Sequence, residues 1–115
     1  MISTLLILIT AAVHFYFTFL EMARWEAPRT RKVFGTTPEF AAQSRVMAAN
    51  QGLYNAFIGA GLLVALAAGA PLMLYYLLLC AVVAGAYAFY CGIKPALYVQ
   101  SLPALLALLA HLTGL

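Results

Sequence analysis

Four stretches of the chain are almost wholly apolar, at about residues 2–22, 46–68, 72–92 and 95–113. Each is close to the roughly 20 residues that cross the hydrocarbon core of a bilayer at about 1.5 Å per residue. Flanking signals sharpen their ends. Thr37 before Pro38 and Glu39 supplies an N-cap, a first-turn proline and a favourable acid, which predicts that the second helix starts near Pro38, before it reaches the membrane. The residues from about Ala27 to Thr36 are left as a loop, and Gly69 to Pro71 as a tight turn. The expectation is an all-α polytopic membrane protein, a four-helix transmembrane bundle with helices at about 2–25, 38–68, 72–92 and 95–113. Residues 1–115 form a single domain.

Composition agrees with the pattern. Hydrophobic residues make up 66% of the chain and charged residues 8%, against about 45 to 50% and about 25% in soluble domains. The first apolar stretch has no basic residue before it and is longer than a signal-peptide core of about 7 to 15 residues, so it is expected to remain as the first helix. The charges then give an orientation. Arg24, Arg29, Arg31, Lys32 and Arg45 lie between the first and second helices, and Lys94 lies between the third and fourth. The ends of the chain and the Gly69 to Pro71 turn carry no Lys or Arg. By the positive-inside rule both basic connections are cytoplasmic, both termini lie on the non-cytoplasmic side, and the location is a plasma or inner membrane. The net charge of +3 thus reflects insertion in a lipid bilayer and gives no support to nucleic-acid binding.

The chemistry is concentrated near the basic side. The segment "NQGLYN" at residues 50–55 places Gln51, Tyr54 and Asn55 on one helical face with Asn50 at its edge. An amide without a partner in hydrocarbon costs several kcal/mol, so the cluster is expected to face protein or water. On the first helix His14, Thr18, Glu21 and Trp25 recur at spacings of 4, 3 and 4, which stacks them in one stripe. Trp25 also suits an interfacial anchor. Tyr87, Tyr90 and Cys91 approach the same side, and Tyr98, Gln100 and Ser101 leave it.

Intramembrane ionisable groups are functional candidates by default. His14 and Glu21 are therefore the candidate catalytic residues, with Thr18, Trp25, Asn50, Gln51, Tyr54, Asn55, Tyr87, Tyr90 and Tyr98 as ligand-binding candidates. The bland alternative is that amides and hydroxyls hold helices together, that His14 is a satisfied core histidine, and that Glu21 snorkels or pairs with Arg24. Small residues at Gly52, Ala56 and Ala60, and at Ala81, Gly85, Ala88 and Gly92, suggest close helix contacts, the first set expected opposite the polar face. Pro103 frees the carbonyl of Val99 within the fourth helix. No phosphate loop, paired-cysteine, zinc-protease or nucleophile-elbow motif occurs. His14 and Glu21, even with Cys91, fall short of a zinc ligand set, so no metal and no cofactor is indicated.

The combination "HFYFTFLEMARW", "KVFG" and "NQGLYNAFIGAGL" resembles the small bacterial and fungal membrane proteins grouped as domain of unknown function thirteen-hundred-and-four. That resemblance covers nearly the whole chain and implies the fold without an activity. In layout, "RVMAANQGLYNAFIGAGLL" followed by a third span ending "AYAFYCGIK" is also similar to the membrane-associated proteins in eicosanoid and glutathione metabolism. This second resemblance implies a homotrimer with sites between subunits near the cytoplasmic side. Where those enzymes carry an arginine, an asparagine and an acid, this chain has Ala48, Gly52 and Asn55. Glutathione binding therefore loses most of its residues, although Tyr87, Tyr90 and Lys94 stand near the expected tyrosines and basic residue.

Three functional classes follow. One is a membrane enzyme, isomerase-like, in which His14 or Glu21 moves a proton on a small lipophilic molecule bound by the amides. Another is a lipid-binding, adaptor or structural membrane protein without turnover. The third is a small multidrug-type transporter, which shares the four spans and a first-helix glutamate. The six-to-zero charge bias and the nearness of Glu21 to the interface weigh against it.

Overall fold

The computed structural model describes all 115 residues, and every regular element is helical. The order is α1 (Ile2–Ala23), α2 (Pro28–Phe34), α3 (Pro38–Gln43), α4 (Arg45–Ala68), α5 (Pro71–Tyr90), then a π-helical turn (Leu97–Ser101) that runs into α6 (Leu102–Leu112). Proline opens α2, α3 and α5 at the first helical position, where its missing N–H costs nothing and its φ is already helical. Thr37 caps α3 as its sequence suggests, its hydroxyl accepting from the Phe40 N–H at 3.1 Å. Gly69, at φ 59°, closes α4 in the left-handed region that glycine enters without a Cβ clash.

Three helices, α1, α4 and α5, are long and apolar enough to cross a membrane, and only 28, 22 and 22% of their most apolar windows is buried inside the protein. Most of their apolar surface thus points outward, which water would not tolerate and lipid does. The stretch Leu97–Leu112 is equally apolar but shorter, about 24 Å at 1.5 Å per residue against a hydrocarbon core of about 30 Å.

Packing closes the long elements into a ring. Helix α1 lies against α4 and α6, and α5 lies against the same two. Both ends of the chain therefore meet at one end of the bundle, where the Met1 amino group donates to the Leu115 carbonyl at 2.9 Å. The half of the bundle nearer these termini holds a dry core of Ile7, Ala11, Leu62, Ala65, Leu74, Leu78, Ala81, Ala104 and Ala107. A polar contact sits beside it, His111 Nδ1 lying 3.1 Å from the Tyr75 hydroxyl.

Three details depart from the sequence reading. The connection at 27–36 contains a helix, α2, whose basic residues hide it from an apolar-run search. The helix expected from Pro38 to Ala68 breaks at Ser44, whose hydroxyl donates to the Phe40 carbonyl (2.7 Å) and accepts from Trp25 Nε1 (3.0 Å). Finally, the last helix opens as a π-helical turn in which the Leu102 N–H reaches the Leu97 carbonyl. Pro103 follows directly; with no N–H to give Val99, it favours a widened turn at this place.

Candidate functional site

Helix α1 can approach α4 closely because Gly52 faces it. A Cβ on Gly52 would stand 2.7 Å from Met22 Cγ, 3.1 Å from Glu21 Cβ and 3.3 Å from the Thr18 carbonyl oxygen. Thr18 uses this proximity, its hydroxyl donating to the Gly52 carbonyl at 2.8 Å. Gly52 is therefore on the α1 face, beside the amides and not opposite them. Gly59 is the next buried small residue of that face, while Ala60 is exposed.

The close approach drops Glu21 between two side chains of α4. Gln51 Nε2 donates to one carboxylate oxygen at 2.6 Å and Asn55 Nδ2 donates to the other at 2.6 Å. Gln51 and Asn55 are one turn apart on α4, and a carboxylate has an oxygen for each of them. Glu21 is 2% exposed; it does not snorkel to the interface, and its carboxylate is held by amides of α4.

Glu21, Gln51 and Asn55 form the polar wall of a cavity of about 190 Å3 at the end of the bundle opposite the termini. Tyr16, Phe17 and Leu20 continue that wall along α1, and Val33 and Phe34 of α2 face it. Ala88 of α5 and the turn residues Ile93, Pro95 and Ala96 line another side. The π-helical turn contributes Val99 and Gln100. Gln100 Nε2 donates to the Ala81 carbonyl at 3.1 Å and Ser101 Oγ to the Val82 carbonyl at 2.8 Å, so this wall is fastened to α5. The Val99 carbonyl freed by Pro103 is not what these two side chains satisfy. Trp25 lies behind α2, its ring 5.0 Å from that of Phe34. With the Ser44 hydrogen bond, it braces α2 over the cavity.

The other candidates are placed elsewhere. His14 is buried but absent from the cavity wall; its Nδ1 lies 2.8 Å from the Thr10 carbonyl and its ring meets Phe17 edge-on at 6.1 Å. Since a carbonyl only accepts, Nδ1 carries the proton in that contact. Asn50, Tyr54, Tyr87, Tyr90 and Tyr98 are exposed and do not line the cavity. No group of three or more His, Cys, Asp or Glu side chains converges on a point. Of the positions aligned with the glutathione enzymes, Ala48 and Gly52 are both buried, and Asn55 alone reaches the cavity.

Sequence reading missed Tyr16, Phe17, Val33 and Phe34 as cavity residues. The signal for Val33 and Phe34 was present, since an apolar pair between a basic run and Gly35 is what a short lid helix would turn inward.

No curated protein and no solved structure shows a significant match to the chain. The family model described as "Protein of unknown function (DUF1304)" matches residues 8–112. The chain belongs to that family.

Proposed function

We propose that this is a four-span membrane protein that binds a small lipophilic molecule, with the polar end of the ligand against Glu21, Gln51 and Asn55. The observation that carries the reading is the buried Glu21 carboxylate, held by two amides on the wall of an otherwise largely apolar cavity. At about 190 Å3 the cavity is smaller than the roughly 300 to 1,000 Å3 of drug-sized sites. It suits a compact molecule or the head of a longer one. Any turnover would fall to Glu21, the one carboxyl group of the wall, as the group that moves a proton.

In this reading α6 with its π-helical turn is the fourth span, and the cavity end, which carries all six basic residues, faces the cytoplasm. Lys32 is exposed on α2. In a Cys91→Ser background, Lys32→Cys is expected to react with a membrane-impermeant thiol reagent only when the cytoplasmic face is accessible. Labelling of intact cells from outside would reverse the orientation.

Binding is tested by native mass spectrometry of protein purified in mild detergent. The expected result is a retained lipophilic mass in the wild type, reduced severalfold in Glu21→Gln and in Asn55→Ala with the fold intact by circular dichroism. A wild type that arrives empty, or one whose bound mass ignores both substitutions, would remove the shared-site reading. The same spectra count subunits, for which a trimer is expected.

A further inference from the structure

The charge and hydrogen-bonding balance of the cavity points to the head group of its ligand; this deepens, and rests on, the binding reading above. Among the lining residues Glu21 is the sole formally charged side chain, and there is no Lys, Arg or His. The basic residues of the adjoining connections turn elsewhere. Arg31 Nε donates to the Glu26 carbonyl at 3.1 Å, Lys94 Nζ lies 5.7 Å from the centre of the Phe89 ring, and Lys32 is exposed. What the protein sets against Glu21 is therefore two neutral amide donors and no cation.

Hydrogen-bonding capacity is biased in the same sense. An ionised carboxylate accepts at about four lone-pair positions and donates nothing; two of those positions are engaged by Gln51 and Asn55. Each of these amides, and Gln100, is held through its nitrogen, which leaves its carbonyl oxygen as a further acceptor. Tyr16, Phe17 and Phe34 add aromatic rings to the wall, an apolar surface for the chain that follows the head group. An anionic head group would meet a like charge in a largely apolar cavity, whereas a cation with several N–H groups would meet acceptors and an opposite charge.

We infer that the cavity selects amphiphiles with a protonated amine as head group, and rejects those headed by a carboxylate. The ammonium sits against Glu21, and its short apolar chain lies along Tyr16, Phe17 and Phe34.

Three probes of one chain length separate the head-group chemistries: n-hexylamine, 1-hexanol and hexanoate. At pH 7 the first is a cation and the last an anion. Equilibrium dialysis into uncharged phosphatidylcholine nanodiscs, with and without protein, subtracts partition into lipid. Hexylammonium is expected to bind the wild type at least about tenfold tighter than hexanoate, a difference of about 1.4 kcal/mol. Glu21→Gln is expected to erase that preference. Ala88→Leu fills the cavity while leaving Glu21 and its amides in place, and is expected to weaken hexylammonium about tenfold or more. Hexanoate binding as tightly as hexylammonium, still lost in Ala88→Leu, would overturn the head-group assignment and keep the cavity as a binding site. Equal binding of all three probes in wild type and Glu21→Gln would overturn the assignment as well. No binding of any probe would remove the assignment and the binding reading together.

Discussion

Gly85→Ala is expected to be the most damaging single-methyl change in the protein, lowering stability by about 3 kcal/mol, at the upper end of ordinary overpacking. A Cβ on Gly85 would collide with Ser101 Oγ and stand 3.0 Å from the Ser101 backbone nitrogen and 3.1 Å from the Ala96 carbonyl oxygen. Two of these atoms are backbone, so no rotamer change relieves the contact. The π-helical turn would have to move off α5, and the bonds from Gln100 and Ser101 to the Ala81 and Val82 carbonyls would stretch with it. Equilibrium unfolding in non-ionic detergent measures the loss. Gly61→Ala is the control, because the nearest atom to its Cβ is the Leu77 Cδ1 methyl at 2.9 Å, the end of a side chain that can turn aside. Equal stability of Gly85→Ala and wild type would show that the α5 contact is looser than described.

The second large effect is expected where Glu21 is held. Hydrogen bonds to a charged group contribute about 1.5 to 3 kcal/mol, and removing one partner leaves the other buried and unpaired. Asn55→Ala is expected near the middle of that range and Gln51→Ala, whose residue is more exposed, near its lower end. The informative measurement is a double-mutant cycle. In a Glu21→Ala background the cost of Asn55→Ala should largely vanish, a coupling of more than about 1 kcal/mol by the usual behaviour of contacting pairs. A cost that persists unchanged without Glu21 would mean that Asn55 matters for packing alone.

The three long apolar helices are legible because crossing hydrocarbon takes about 20 apolar residues in a run, and "NQGLYN" stands out because amides in an apolar helix need partners. The pairing of Glu21 with Gln51 and Asn55 follows from face periodicity on the two helices. What periodicity does not supply is the rotational phase of each helix. In water the apolar side of a helix is its inner side; in lipid both sides are apolar, and the phase is set by where backbones can touch. The small-residue pattern thus marks Gly52 as a contact residue, but the structure puts it beside the amides, against Thr18 and Glu21, and not opposite them. The same ambiguity covers Tyr87, Tyr90 and Tyr98. Tyrosine is at home in the headgroup layer, so an outward position satisfies it as well as a site would. His14 belongs to the same stripe as Glu21, but lies about 10 Å further along the helix, beyond the reach of the cavity.

The π-helical turn adds a constraint that side-chain identity does not express. A wide turn is equivalent to one residue inserted into an α-helical course. Removing a residue between Leu97 and Ser101 would restore that course, leaving the flanking turns in phase and taking away the extra width. Ala96 and Gln100, which now line the same cavity, would stay on one face, three residues apart, but the segment between them would no longer bulge. Segment length is therefore a heritable property of the cavity in its own right. In an alignment of relatives, a one-position gap here would mark a protein with a differently shaped interior, even where every remaining residue is identical.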